Sequence, residues 1–348
     1  MTTFAELTTT QVSDAAAQLV APASRDALAA EYRRLVEADE PFLVIGGGSN
    51  TIVSDSGFDG EVLHICTSGI QVVDDADGVL VTAEAGESWS ELVDRTVADG
   101  LSGIEALAGI PGTVGAAPVQ NIGAYGQELA DVLERIEVVE AETGEIRWVA
   151  ASELGLGYRT SALKRGELRA LVLRVVLRLQ RVGDAAGAAV RYAQLAKALG
   201  VELGDRVPVA QQRDAVLRLR ASKGMVLDPG DPDTRSSGSF FVNPVVHREF
   251  VVDLPEDAPQ FDAGADEDGR PLVKLSAAWL IDHAGVKRGF ALPGSGAAIS
   301  SKHTLAITNH DGATAEQIAE LARFVRARVM QEFGVLLVPE PNLIGLEV

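Results

Sequence analysis

Hydrophobic positions come in short runs through the first half of the chain and at helical spacing in much of the second. Residues 42–45 form an apolar run ending in Gly46-Gly47-Gly48-Ser49-Asn50, which predicts a buried strand feeding a glycine-rich turn. Thr51-Ile52-Val53 is β-branched, so the turn is expected to join two strands. Residues 62–65, 70–73 and 79–84 repeat the strand pattern between Gly and Asp. Ser88-Trp89-Ser90-Glu91 reads as a capping box, opening a helix that stops near Gly100. Residues 133–139 and 145–149 flank Glu142-Thr143-Gly144 as a hairpin, and 171–179 is another strand.

The pattern changes beyond 183–189, a run of small residues that reads as a domain boundary. Residues 191–199 and 209–223 are helical in pattern, 239–242 strand-like, 276–284 a short helix and 304–308 a strand. Residues 253–270 carry seven acids and one base and read as a solvated loop. Thr314 and Gln317 cap a last helix with Ile318, Leu321, Ala322, Val325, Val329 and Phe333 on one face, a core stripe rather than a cofactor box. Residues 335–338 return as a strand. This irregular alternation favours α+β over a doubly wound sheet. The expected segments are 1–65, 66–185 and 186–335, with a tail at 336–348.

Composition narrows the class. The 348 residues have a mean hydropathy of +0.13, which excludes a disordered or fibrous chain. No apolar run approaches the roughly 18 residues needed to span a bilayer. The start has no basic region and no apolar stretch of a secretory signal, and one cysteine, Cys66, allows no internal disulfide. A cytoplasmic protein is expected, with no membrane partner and no metal. The net charge of −20 argues against a nucleic-acid partner. Residues 159–223 depart from that balance, with 14 basic and 5 acidic residues. Such a window either meets an anion or is absorbed by helix ends and ion pairs.

Two glycine segments carry candidate chemistry. Gly46-Gly47-Gly48-Ser49-Asn50 does not fit the Rossmann fingerprint, because a strand rather than a helix follows. Its backbone N–H groups can still cradle a pyrophosphate, or it is an ordinary tight turn. Residues 111–126 are uniformly small over sixteen positions, suited to close approach of a flat ligand or to a packed connection. Gln120 and Asn121 offer uncharged donors and acceptors for the edge of a heteroaromatic ring.

Together these pieces resemble the UDP-N-acetylenolpyruvoylglucosamine reductases. The match adds Ile110-Pro111-Gly112-Thr113-Val114-Gly115, Gln120 to Gly126, Tyr158-Arg159-Thr160-Ser161, Gly238-Ser239-Phe240-Phe241-Val242-Asn243-Pro244, Ala277 to Asp282 and Pro339-Glu340, in the family's order over residues 42–345. The resemblance implies an FAD-binding fold of the vanillyl-alcohol-oxidase (PCMH) type in two α+β subdomains, with a C-terminal α+β substrate-binding domain. It implies bound FAD, NADPH as co-substrate and UDP-N-acetylglucosamine enolpyruvate as substrate, on a monomer of the family's type I.

Site residues follow from the same resemblance. Gly46, Gly47, Gly48, Ser49, Asn50 and Thr51 would meet the cofactor pyrophosphate. Pro111, Gly112, Thr113, Gly115, Gln120, Asn121, Ile122, Gly123, Ala124 and Tyr125 would meet the flavin. Arg159 would hold the enolpyruvyl carboxylate, Ser239 would protonate C2, and Glu340 would stabilise the enolate. Tyr192, Arg220, Lys223 and Asn243 would bind the sugar nucleotide. Two features depart from the family's pattern: residues 224–237 are longer than expected, and Pro341-Asn342 follows Glu340. Two rivals remain, a same-fold oxidase of a small hydroxy acid or sugar and a non-catalytic sugar-nucleotide binding protein.

Overall fold

The computed structural model describes residues 1–182, 187–251 and 254–348. The chain divides into two compact units. A central unit comprises Gln18–Gly47 and Asp59–Val226, and a terminal unit comprises Met1–Ala17, Gly48–Phe58 and Leu227–Val348. The units do not follow the expected boundaries at 65, 185 and 335. The helices after 190 stay with the central unit, and the first residues join the last. The small-residue segment expected to mark a boundary lies in part, at 183–186, outside the described residues.

The central unit holds two sheets. Gln18–Val20, Glu61–His64 and Phe42–Ile45 form a parallel three-stranded sheet with Glu61–His64 in the middle. Ile146–Ala150, Leu133–Glu140, Ala170–Arg181, Gly78–Glu84 and Ile70–Asp75 form an antiparallel sheet in that order, and Leu101–Ser102 pairs the end of Ala170–Arg181. Helix Arg25–Ala38, capped by Ser24, buries Leu28, Tyr32 and Leu35 in a core with Leu63, Leu171 and Leu173. Helix Trp89–Ala98 starts where Ser88 Oγ accepts the Glu91 N–H, and it buries Trp89, Leu92 and Val93 in the larger core.

Strand Ala170–Arg181 is nearly continuously apolar because both of its faces are covered. Leu171 and Leu173 face one core, whereas Val172, Val175, Leu177 and Leu179 face the other. The phase change is a β-bulge. Glu137 pairs Arg174 and Val138 pairs Val172, which leaves Leu173 without a ladder partner. The Leu173 carbonyl accepts the Ala85 N–H at 2.9 Å, and the Ala85 carbonyl accepts the Gly115 N–H at 2.8 Å. The bulge thus fixes the second glycine segment to the sheet.

In the terminal unit, helix Ala315–Phe333 carries the expected stripe, and its capping box from Thr314 and Gln317 forms. Ile318, Leu321, Ala322, Val325 and Val329 are buried with Phe240, Phe241 and Leu280. Strand Thr51–Val53 pairs in parallel with Asn342–Ile344. The expected strand at 304–308 is shorter, Ile307–Asn309. The expected strands at 239–242 and 335–338 form no ladder. They meet through one bridge, Phe241 to Pro339, although Val335 and Leu337 alternate with exposed Leu336 and Val338 as a strand would. The expected loop at 253–270 is in part a strand. Val252 and Asp253 lie outside the described residues, but Gln260–Ala265 pairs with Pro271–Leu275. Its side chains are mostly exposed, so an edge strand with acidic residues reads like a loop in sequence.

Candidate active site

The first glycine turn joins strand Phe42–Ile45 to strand Thr51–Val53, strand to strand as expected. Gly46 and Gly47 lie in the central unit against the second glycine segment. A Cβ on Gly46 would stand 2.4 Å from Thr113 Oγ1, and one on Gly47 would stand 2.8 Å from the Gly112 Cα. No side chain fits at either position: Gly47 packs backbone on backbone against Gly112, and Gly46 packs against the Thr113 side chain. The Thr113 hydroxyl is buried and has no partner within the protein. A bare-backbone cradle beside an orphaned hydroxyl fits an anionic, hydrogen-bond-accepting cofactor group. Gly48 begins the terminal-unit half of the turn, where its carbonyl accepts the Thr9 N–H. Thr51 is buried in its strand and pairs with Asn342, so it belongs to the ladder and not to the turn surface.

Asn121 departs from expectation. It is 1% exposed, and its amide is consumed by the protein. Nδ2 donates to Glu128 Oε2 and to the Gly157 carbonyl at 3.1 Å each, while Oδ1 accepts the Ala130 N–H at 2.9 Å. This side chain pins the segment and offers nothing to a ring edge. Ser161 of the Tyr-Arg-Thr-Ser piece is likewise structural, because its hydroxyl donates to the Val119 carbonyl.

Beyond Asn121 the chain turns through Gly123–Ala124 and Gln127–Glu128, with Tyr125 and Gly126 at the tip. The Arg159 guanidinium donates from Nη2 to the Gly123 carbonyl at 2.8 Å. Among the described residues, six non-glycine residues have positive φ, and three of them are Asn121 (47°), Tyr125 (48°) and Arg159 (54°). Left-handed backbone at non-glycine residues is unfavourable and survives only where surrounding contacts impose it.

These residues border a cationic cluster. The Tyr125 and Tyr192 rings meet edge to face at 5.5 Å, and Lys223 Nζ lies 5.6 Å from the Tyr125 ring centre. Lys223 Nζ donates to Gln194 Oε1 at 2.9 Å. Arg220 donates from Nη2 to the Met225 carbonyl, and its buried Nε has no partner in the protein. Burial pushes the Arg220 guanidinium down to about 10; Tyr125 opposes this and Arg159 adds to it. Burial, then Arg220, also lowers the Lys223 ammonium. Like charges packed in this way raise the cost of having no counter-ion, an arrangement that favours a nearby anion. Other cations of the basic window are absorbed by ion pairs: Arg165 with Glu167, Arg174 with Glu137, Arg178 with Glu134 and Asp75, Arg181 with Asp74, and Arg213 with Asp94. The ion-pair reading of that window therefore holds for these residues.

The terminal unit gathers a second group. Ser239 is half-buried after Gly238, whose φ is 77°. The bridge at Phe241 and Pro339 sets the Glu340 backbone opposite Phe240, the residue after the serine, and the Glu340 N–H donates to the Phe240 carbonyl at 2.9 Å. Asn50 Nδ2 donates to the Glu340 carbonyl at 3.2 Å, so the end of the glycine turn is tied to the glutamate. Asn243 Oδ1 accepts the Ala277 N–H and holds the start of helix Ala277–His283, so part of this expected substrate contact is structural. Sequence reasoning missed Gln194, which sits two residues beyond the chosen Tyr192, and Asp233, buried in the long 224–237 segment. An aspartate between prolines and serines reads as turn chemistry and gives no sign of burial.

Known proteins resemble this chain over nearly its whole length. Residues 16–150 match the FAD binding domain model, and residues 231–344 match the model of the UDP-N-acetylenolpyruvoylglucosamine reductase C-terminal domain. The UDP-N-acetylenolpyruvoylglucosamine reductase of Leifsonia xyli is 52% identical, covering 98% of this chain and 97% of the relative. That of Nocardia farcinica is 47% identical, with 99% and 88% covered. The crystal structure of the Thermus caldophilus UDP-N-acetylenolpyruvylglucosamine reductase superposes with a TM-score of 0.64 at 27% identity, covering 99% of this chain and 97% of that one. Among the described residues no helix is long and apolar enough to cross a membrane, and no group of three or more His, Cys, Asp or Glu is placed to hold a metal.

Proposed function

The chain belongs to the UDP-N-acetylenolpyruvoylglucosamine reductase family, and from that premise we propose how its residues divide the work. The reaction reduces the enolpyruvyl ether of UDP-N-acetylglucosamine to the lactyl ether of UDP-N-acetylmuramate, a peptidoglycan precursor. Gly46, Gly47, Gly112 and Thr113 would hold FAD, which when bound would supply hydride, taken from NADPH, for C3 of the enolpyruvyl group. The protein must then manage the charge at C2 and deliver a proton there.

Arg159 is proposed to hold the substrate carboxylate. Its planar fork stays charged throughout and suits bidentate recognition, so it stabilises the enolate as charge moves into the carboxylate. Ser239 is proposed to donate its hydroxyl proton to C2. A serine is a weak acid in water, but the developing carbanion is a strong base. Glu340, whose backbone the Phe241–Pro339 bridge sets opposite Phe240, is proposed to stabilise the same enolate. Arg220, Lys223 and Tyr192 are proposed to take the diphosphate, where Arg220 and Lys223 gain the counter-ion they lack. Asn243 and the remaining turn residues are proposed as further contacts, and the protein is proposed to act as a cytoplasmic monomer.

The meeting of the chains that carry Ser239 and Glu340, with the Glu340 N–H on the Phe240 carbonyl, carries this reading, because proton delivery next to a hydride acceptor separates a reductase from an oxidase of the same fold. Anaerobic half-reactions test it. Ser239→Ala should bleach with NADPH at nearly the wild-type rate. Reoxidation by the enolpyruvyl sugar nucleotide should slow by about 10²–10⁴-fold, the usual worth of a general acid. Normal reoxidation would remove Ser239 from the role.

A further inference from the structure

We propose that the buried Asp233 carboxylate is a positioning residue for the Ser239 hydroxyl, acting through a clasp on the segment 300–306. The inference rests on the assignment of Ser239 as proton donor. Asp233 is 4% exposed and sits in the 3-10 turn Pro232–Thr234, six residues before Ser239. Its Oδ1 accepts the Ser301 N–H at 2.8 Å, and its Oδ2 accepts the Ser301 hydroxyl at 2.5 Å. Next to it, Lys302 Nζ donates to Asp231 Oδ2. The partner segment is itself closed: the Ser300 N–H donates to the Ala306 carbonyl, the Ala306 N–H donates to the His303 carbonyl, and the Lys302 and His303 N–H groups donate to the Ser300 hydroxyl. Its far end returns to the serine, because the Leu305 carbonyl accepts the Phe240 N–H at 2.8 Å.

The chain that delivers Ser239 is therefore gripped on both sides by one rigid loop, at Asp233 before the serine and at Phe240 after it. The intervening residues are held too. The Thr9 hydroxyl donates to the Ser236 carbonyl, the Asn309 N–H donates to the Arg235 carbonyl, and the Gly238 N–H donates to the Ser236 hydroxyl. Gly238, at φ 77°, is the joint where freedom would otherwise return. A burial penalty on the carboxylate is outweighed by the Ser301 and Ser300 groups and Lys302, which together hold Asp233 below the usual carboxylate range, so the clasp is made of charge-assisted hydrogen bonds. Small displacements of a reacting group can cost ~10²-fold in rate, so a clasp at this point bears on the proton step and not on hydride entry.

The test uses the FAD-loaded full-length protein. Asp233→Asn, Ser301→Ala, Ser239→Ala and the doubles Asp233→Asn/Ser239→Ala and Ser301→Ala/Ser239→Ala are compared by flavin content, thermal midpoint, NADPH bleaching and single-turnover reoxidation by the enolpyruvyl sugar nucleotide. Asp233→Asn should reoxidise about 10–100-fold more slowly, and Ser301→Ala several-fold more slowly, with bleaching within about two-fold of wild type. In the Ser239→Ala background neither should add a further loss, because both act through the same hydroxyl. Wild-type reoxidation in both single variants, or full additivity in the doubles, overturns the proposal. If Asp233→Asn does not fold, Ser301→Ala and its double decide the matter alone. Normal reoxidation in Ser239→Ala would sink the underlying assignment, whereas a slow Ser239→Ala with normal Asp233 and Ser301 variants would sink the clasp by itself.

Discussion

The two units hold their functional groups by different means. In the central unit the group on offer is charge, and it is held by strain. Arg159 and Tyr125 sit at positive φ, and Arg220 keeps a buried guanidinium nitrogen without a partner. In the terminal unit the group proposed to act is the Ser239 hydroxyl, and the chain around it is held by clamps. Asp233, Asn50 and Asn243 each spend a side chain on backbone near Ser239 or Glu340. A cation that must meet an anion can be stored unsatisfied, because the ligand completes it. A proposed proton donor depends on placement, which suits the backbone hydrogen bonds on either side of Ser239, although the buried Ser237 hydroxyl has no partner within the protein.

The largest effect should come from the charged side. Arg159→Ala should cut turnover of the sugar nucleotide by about 10²–10³-fold, the range seen when a donor to a developing oxyanion is removed, while NADPH bleaching persists. Equal loss in both half-reactions would show that Arg159 props up the fold instead. Lys223 should give a moderate effect that depends on pH. Because burial and Arg220 lower its ammonium, the cation is lost as pH rises through a value below the ordinary lysine range. The KM for the sugar nucleotide should therefore climb at mildly alkaline pH. Lys223→Ala should raise it by roughly ten-fold at neutral pH, as for one charged hydrogen bond, and flatten the climb. An unchanged profile would take Lys223 out of the diphosphate site.

The smallest effect compares two carboxylates, one in each unit. Glu84 has a buried Oε2 with no partner in the protein, and burial, opposed by Arg174 and Arg25, raises its carboxyl. A raised carboxyl is a penalty above its folded pKa that is relieved as pH falls. Asp233 has the opposite sign: its contribution is full above the ordinary carboxylate range and is lost as pH falls through the depressed value. Glu84→Gln should therefore raise the thermal midpoint at pH 7 slightly, by about 0.5–1 kcal/mol or less, and the gain should fade in acid. Asp233→Asn should lower the midpoint at pH 7. The same sign for both would erase the contrast.

Much of this was legible in the residues. The glycine turn between two strands, the Ser88 and Thr314 caps, the hairpin at Glu142-Thr143-Gly144 and the stripe on helix Ala315–Phe333 all rest on local periodicity and turn chemistry. The ordered motifs named the candidate residues. Local pattern could not separate side chains that face a ligand from those that hold the chain. Asn121 looked like a ring-edge contact, but three hydrogen bonds from distant backbone and side chains consume it. Thr51, read as the start of a strand, has its ladder partner Asn342 near the other end of the chain, which no local pattern could show.

The sequence by itself determined the α+β class, the flavin-type turn that is not a Rossmann turn, and a local excess of cations within an acidic chain. Those features depend on neighbours a few residues apart. The tertiary structure alone decided which cations are left without carboxylates, which strands dissolve into a single bridge, and how the first 17 residues come to belong with the last 122. It also decided that the longer loop before Ser239 is a clasp and not a slack insertion. Each of these turns on pairings between residues tens to hundreds of positions apart, and desolvation and hydrogen-bond satisfaction are settled only when those partners meet.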